Sequence, residues 1–487
     1  MFKCLDFFNF AWFKCLDFFN LFFILLIMGY LTRLIDEYLL SWANSDSHKP
    51  VLLRGARQVG KSWAVRNLGK TFRYFVEINF ERNPEYKSIF TQNLDVERIV
   101  SQLGILVKKP IVEGETLLFF DEIQECPEAI MSLRFFREDK PQLHVIGAGS
   151  LLEFTLADLP TFGVGRIHSM FMYPMSFDEF LTACGESMLI EARNAASPDT
   201  PLPVILHDKC VELFRIFLLV GGMPEVVSKW IETHDYLKCH EILNDLLVSY
   251  EDDFSKYKKK ANPELLRQVL RSAALQLTKK FTYSNVPGNH STYEVKNAVD
   301  LLCMAGLLLP VKRTDANGLP LGSESNDAYT KILLLDTGLT LRLLGLAEDT
   351  YQLLTRDIMT QTATDLVNKG PMAELAAGLE LIRYKSPELR HYLYYWTRQE
   401  KNSLAEIDYL GSQDGKVLPI EIKAGTKGGM KSLWFFMRAK NLVQAVRSSL
   451  ENFGRFDYED PLESGTIRKV TICPLYAISQ MKRLLSL

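Results

Sequence analysis

Apolar residues run unbroken at Val51-Leu52-Leu53 and at Leu117–Phe120, and "LHVIGA" repeats the theme just before Gly149. Runs this short and continuous predict strands buried on both faces, the habit of a parallel sheet covered by helices. From about Pro201, after the loop-like "NAASPDTPLP", the spacing turns helical. "CVELFRIFLLVGGMPEVVSKWI" predicts two helices broken at Gly221-Gly222, with Pro224 behind the break. "HDYLKCHEILNDLLVSYEDDFSKYKKK" predicts another.

"FTYSNVPGNHSTYEVKNAVDLLCMAGLLLPVKR" has the layout of a winged-helix module. Ser291 or Thr292 caps a helix whose Val295, Val299, Leu302 and Cys303 face inward, and Gly306 ends it. "LLLPVKR" and "YTKILLLDTGL" are then the wing strands. Further on, Met372, Leu375, Leu379 and Ile382 recur at helical spacing, with Glu374 at the edge of their stripe. "LYYWTRQ" and "AEIDYL" read as strands, "SQDGK" as a hairpin turn, and "VLPIEIKAG" as a strand of period 2. That period puts Leu418, Ile420 and Ile422 on one face and Glu421 and Lys423 on the other, while the hairpin can bring Asp408 opposite.

A chain of 487 residues exceeds a single core and predicts about three domains. A net charge of −3 excludes a whole-chain pull toward nucleic acid, so any such contact needs a local basic patch. One candidate is Lys256, Lys258, Lys259 and Lys260, which either meets phosphate or merely solvates a helix end. In the winged-helix segment, Lys296, Asn297, Lys312 and Arg313 are the candidate DNA readers; the competing role is contact between domains or proteins. The eight scattered cysteines show no zinc spacing and suit a reducing cytoplasm. At the N-terminus "FKCLDFFN" occurs twice, and the uncharged run Phe18–Leu31 is too short to span a membrane. Three readings stand for it: an extension ahead of a natural start at Met28, a membrane-associating segment, or a helix packed on the body.

The chemistry is densest at Gly55-Ala56-Arg57-Gln58-Val59-Gly60-Lys61-Ser62, which fits G-x-x-x-x-G-K-[ST] between a strand and a helix. The glycines let successive N–H groups face phosphates, Lys61 reaches the β- and γ-phosphates, and Ser62 Oγ ligates Mg²⁺. In "TLLFFDEIQECP", Asp121 holds Mg²⁺ through water and Glu122 polarises the attacking water. Ser150 is a candidate γ-phosphate sensor, or a plain turn serine. Arg166 is a candidate phosphate contact, in cis or from a neighbouring subunit, or a surface arginine.

"RGARQVGKS", "LLFFDEIQECP", "GAGSLLEF" and "GRIHSMFMYPMSFDEFL" together resemble the prokaryotic AAA-type ATPases that carry a C-terminal domain of unknown function 4143. The resemblance covers the chain from about Tyr30 onward. It implies an ASCE-type P-loop α/β parallel-sheet domain, ATP and Mg²⁺ binding, and a cytoplasmic protein. Glu374, Asp408, Glu421 and Lys423 resemble the PD-(D/E)XK nuclease pattern, in which such families end. This implies Asp408 and Glu421 as metal ligands, Lys423 as the catalytic lysine and Glu374 as the helix-borne acid. Ile407 stands where that motif is named for a proline.

The expected organisation is therefore a non-native or dispensable hydrophobic extension at 1–28, a P-loop ATPase domain at 29–200, a helical and winged-helix-like region at 201–345 and a restriction-endonuclease-like α/β domain at 346–487. The expected function is a Mg-ATP-binding, hydrolysing ATPase whose nucleotide state regulates the tail. The tail either acts on DNA as a nuclease or, without cutting, binds a protein or nucleic-acid partner as a signalling or scaffold ATPase. Stable membrane association is not expected, and oligomerisation is left open.

Overall fold

The computed structural model describes residues 30–486, apart from 160–164, 258–259, 346–369, 401–402, 426–428 and 464. The predicted N-terminal extension at 1–28, Lys258 and Lys259 of the basic cluster, and the first residues of the expected 346–487 domain lie outside the described residues.

The first sheet holds β1 (Val51–Arg54), β2 (Tyr74–Asn79), β3 (Thr116–Asp121), β4 (His144–Ala148) and β5 (His168–Phe171) in the order β2-β3-β4-β1-β5. All of its pairings are parallel, and β4 is inserted between the strand before the Gly-rich loop and the strand ending at Asp121. The continuous apolar runs follow from this. Leu117 and Phe119 of β3 enter one core while Leu118 and Phe120 enter a second on the other face.

The middle is helical as the spacing predicts: α1 (Val204–Val220), α2 (Pro224–Thr233), α3 (Tyr236–Asp253), α4 (Pro263–Leu275) and α5 (Thr292–Met304). Ser291 caps α5 in a reciprocal box with Glu294, and Val295, Val299 and Leu302 are buried as expected. The two wing strands form as β6 (Leu308–Thr314) and β7 (Ser325–Leu334), but they do not stay in a separate module. They are one end of an eight-stranded mixed sheet, β12-β13-β11-β10-β9-β8-β6-β7.

The tail supplies the other strands: β8 (Leu393–Glu400), β9 (Ser403–Gln413), β10 (Lys416–Ile422), β11 (Gln444–Ser449), β12 (Gly454–Glu459) and β13 (Ile467–Pro474). Pairing of β6 with β8 carries this sheet across the expected division at 345 and 346. The physical reason is edge chemistry: an isolated hairpin leaves ladder groups unpaired, and β8 offers a matching row. The helix α6 (Gly370–Arg383) covers one face of the sheet, and Lys431–Ala439 covers the other. Asp414 and Gly415, both at positive φ, make the turn that "QDGK" predicts. One continuous core joins the first sheet, the helical middle and α6.

Of the candidate DNA readers, Lys312 pairs with Asp327, Arg313 pairs with Asp315, and Asn297 donates to the Lys260 carbonyl. In the basic cluster, Lys256 pairs with Asp253 and Lys260 with Asp158. These are partly exposed pairs, and those of Lys312 and Arg313 stay within the β6–β7 hairpin segment, so they decide neither alternative. Among the described residues no helix is long and apolar enough to cross a membrane, and six cysteines are free thiols.

Candidate functional site

The loop after β1 turns at Gly55 with φ +146, where a Cβ would stand 2.1 Å from the Met172 carbonyl oxygen, so only glycine fits. Gly60, at φ +99, opens the helix Lys61–Gly69. Arg57, Gln58, Gly60, Lys61 and Ser62 line a cavity of about 700 Å³ together with Asp121, Glu122 and Ser150. Gly55 and Ala56 line a neighbouring cavity that Ser150 shares. The Lys61 Nζ donates to the Gly55 and Ala56 carbonyls at 2.9 and 2.7 Å. Burial lowers the Lys61 ammonium to about 8, against the pull of Glu122 and Asp121.

Parallel pairing sets Asn79, the last residue of β2, beside Asp121, the last of β3. Asn79 Nδ2 donates to Asp121 Oδ2 at 3.0 Å, and Ser62 Oγ donates to Asp121 Oδ1 at 2.8 Å. Burial raises the Asp121 carboxyl, while the Ser62 and Asn79 bonds favour its charged form. Glu122 adopts φ 48 as the chain leaves β3, and its carboxylate accepts Gln124 Nε2 at 2.7 Å. The Ser62 hydroxyl and the Asp121 carboxylate are the kind of oxygen donors that a hard divalent cation takes.

Arg33, missed in the sequence, is buried and holds the loop from the side. Its Nη1 donates to the Val59 carbonyl at 2.6 Å, its Nη2 to the Tyr173 carbonyl at 2.7 Å, and its Nε to Glu179 at 2.8 Å. On the middle region's side, Arg57 pairs with Asp253 and the Tyr250 hydroxyl donates to the Arg57 carbonyl. From α2, Glu225, Ser228, Lys229 and Glu232 face the same cavity. Arg166 is not among the residues that line it, and its guanidinium pairs with Glu138 at 2.5 Å. The surface-arginine alternative fits this pairing.

In the tail, the hairpin brings Asp408 to β10, where its Oδ2 accepts the Ile422 N–H at 2.7 Å. Lys423 Nζ donates to Glu421 Oε1 at 2.5 Å, and Glu421 Oε2 is buried with no partner. Among the described residues, the carboxylates that converge are Glu374, Glu406 and Asp408, whose ligand oxygens lie within 4.8 Å of one another. Glu406 joins this group, while Glu421 remains within electrostatic reach of Asp408. Burial pushes Glu374 up to about 8 and Glu421 up to about 7, with Asp408 adding to both shifts.

A lysine lies among these acids. Lys331 of β7, 1% exposed, donates to Glu374 Oε1 at 2.9 Å and Glu406 Oε1 at 2.6 Å, with its Nζ 4.8 Å from the Tyr395 ring centre. Burial opposes its charge, yet Glu374, Glu406 and Asp408 together hold its titration above the ordinary range. The carboxylates have the right chemistry for Mg²⁺, but two of the three already serve an ammonium, so the tail as arranged does not fit a shared metal ion. The sequence carries only partial signals for these two missed residues: Glu406 shares the period of Asp408, and Lys331 directly precedes the apolar run Ile332–Leu335.

Residues 47–181 match a family described as an AAA domain. Residues 211–350 match a domain of unknown function, DUF8612, and residues 369–474 another, DUF4143. No curated protein matches the chain. Among solved structures, a Walker-type ATPase of Pyrococcus abyssi is similar over 65% of this chain and 96% of its own, at 16% identity and a TM-score of 0.42. The Orc1 protein of Aeropyrum pernix, in complex with DNA, covers 66% of this chain and 92% of its own at 13% identity and a TM-score of 0.27. The RuvB Holliday junction branch migration motor of Thermotoga maritima covers 58% and 90% at 14% identity and a TM-score of 0.27. The chain carries an AAA domain at residues 47–181 and a DUF4143 domain at residues 369–474.

Proposed function

We propose that this protein binds and hydrolyses Mg-ATP in the P-loop cavity, and that its tail answers to the nucleotide state by binding a partner rather than by cutting DNA. The observation that carries the first part is the Ser62–Asp121–Asn79 network at the joined ends of β2, β3 and the loop helix. Lys61 would exchange the Gly55 and Ala56 carbonyls for β- and γ-phosphate oxygens. Ser62 would ligate Mg²⁺ directly and Asp121 would hold it through water. When bound, the ion neutralises charge developing on the transferred phosphoryl group. Glu122 would orient the attacking water, after leaving Gln124. Phosphate release from purified protein tests this reading. Turnover that requires Mg²⁺ and is lost in Lys61→Ala supports it; failure of the intact protein to bind an ATP analogue overturns it.

A route for coupling supports the second part. Arg33 links the Val59 carbonyl to Glu179 on the helix Phe177–Ala183, and the N–H of Phe177 donates to Glu380 on α6. Glu374 lies on that same helix. A change in the loop that moves Val59 therefore pulls on the element that carries a tail acid. The Lys331 ammonium favours binding over cleavage, with a protein or nucleic acid as the partner, in the cytoplasm. Incubation with plasmid, Mn²⁺ and ATP tests this: cleavage that disappears in Lys423→Ala would restore the nuclease reading.

A further inference from the structure

The tail cluster gathers carboxylates from two elements, Glu374 from α6 and Glu406 and Asp408 from β9, into a space where their oxygens lie within 4.8 Å. Glu406 is 43% exposed and Asp408 half-buried, yet repulsion among carboxylates this close is costly unless a cation stands between them. In a metal-dependent site that cation is a divalent ion, taking oxygen ligands at about 2.0–2.6 Å. Here the nearest cation is covalently part of the chain. Lys331 comes from β7, an edge strand of the sheet, and reaches across to Glu374 and Glu406 at 2.9 and 2.6 Å. Its side chain is 1% exposed, so the charge is committed to these partners and not to solvent.

We propose that Lys331 is the resident cation of the tail site: its ammonium takes the place among Glu374, Glu406 and Asp408 that a divalent ion would hold, and closes the site to metal. A lysine is a point charge with three donors, able to serve several carboxylates at once. It cannot lower the pKa of a bound water or hold an attacking oxygen as a divalent ion does. The cluster then has a different task, which is to lock hairpin β6–β7 onto α6 and β9. The inference rests on the non-cutting reading of the tail. Its readout is metal binding rather than cleavage, so the two fail separately.

The test measures Mn²⁺ binding by electron paramagnetic resonance on the full chain without nucleotide, in a Ser62→Ala, Asp121→Asn background that removes the metal donors of the P-loop site. With the native tail, no Mn²⁺ binds at millimolar concentration. With Lys331→Gln, one Mn²⁺ binds per chain, at least tenfold tighter than to the native tail, and Asp408→Asn added to that variant abolishes it. Folding of Lys331→Gln only when Mn²⁺ is present supports the same conclusion, because the metal then replaces the ammonium. Two results overturn the proposal: Mn²⁺ bound by the native tail and lost in Asp408→Asn, or a folded Lys331→Gln that gains none. If Lys331→Gln stays unfolded with and without Mn²⁺, the native tail decides alone, and metal bound there overturns the proposal while its absence supports it.

Discussion

Glu380, on the tail helix α6, accepts the backbone N–H of Phe177 at 3.1 Å, a bond between residues 203 apart in sequence. Phe177 opens the helix whose Glu179 holds Arg33, so this one carboxylate ties the tail to the frame around the P-loop. It also pairs with Arg383 at 3.0 Å. Burial pushes Glu380 up from its ordinary 4.5 to about 7, with Arg383 and the Phe177 N–H drawing it back.

A pH dependence follows from that shift. Between 4.5 and about 7 the folded chain holds a proton at Glu380 that the unfolded chain releases. Its contribution to stability is therefore complete below 4.5 and is lost as pH rises through about 7. Glu380→Gln keeps an acceptor for Phe177 but cannot titrate. Thermal melting of both proteins across this window should show the native protein losing stability relative to the variant as pH rises. Curves that stay parallel would exclude Glu380 as the group responsible.

Arg33 serves three acceptors from one planar guanidinium, which neither lysine nor methionine can reproduce. Arg33→Met leaves Glu179 buried without its cation and should cost about 3–5 kcal/mol of stability. It should also weaken ATP binding, since the Val59 carbonyl loses its anchor. Chemical denaturation measures the first effect and nucleotide titration the second. A loss below about 1 kcal/mol would mean that Glu179 is satisfied by the Leu34 and Ser176 N–H groups alone.

Glu122 and Gln124 make a separable pair. Glu122→Gln should leave ATP binding intact while reducing hydrolysis by about 10²–10⁴-fold, the usual worth of a positioned base. Gln124→Ala removes the donor that holds the Glu122 carboxylate at 2.7 Å and should raise basal turnover several-fold. Steady-state phosphate release reads both. Equal turnover in Gln124→Ala and the native protein would show that Glu122 leaves Gln124 at no cost.

Metal dependence should be concentrated at Ser62. Chelation of Mg²⁺ should abolish hydrolysis. Ser62→Ala should raise the Mg²⁺ concentration needed for half-maximal rate by at least about tenfold, because Asp121 alone then positions the ion. Asn79→Ala, which removes only a donor to Asp121, should have a smaller effect in the same direction. If Asn79→Ala is the more damaging of the two, orientation of Asp121 matters more than direct ligation by Ser62.

Much of the nucleotide site was legible because its chemistry is contiguous: one loop carries Gly55 to Ser62, and one strand end carries Asp121 and Glu122. Asn79 was not, since only the parallel register of β2 against β3 places it beside Asp121. Arg33 reaches the loop from 26 residues upstream of Val59, through a fold that local pattern does not encode. In the tail, alternation and the Asp-Gly turn correctly placed Asp408 against β10. They could not show that Glu406 joins Glu374, or that a strand assigned to a different module delivers Lys331. The wing strands were recognised as strands, but edge pairing between β6 and β8 is a long-range event without a local signal.

That pairing has a consequence for how such a protein can evolve. The DUF4143 match begins at residue 369, yet two strands and one buried charge of the same sheet are encoded before residue 346. A gene fusion that transplanted the matched segment alone would leave behind the Lys331 codon and expose the β8 edge to foreign strands. The heritable unit is therefore larger than the matched segment, and recombination that preserves it has to break upstream of Leu308.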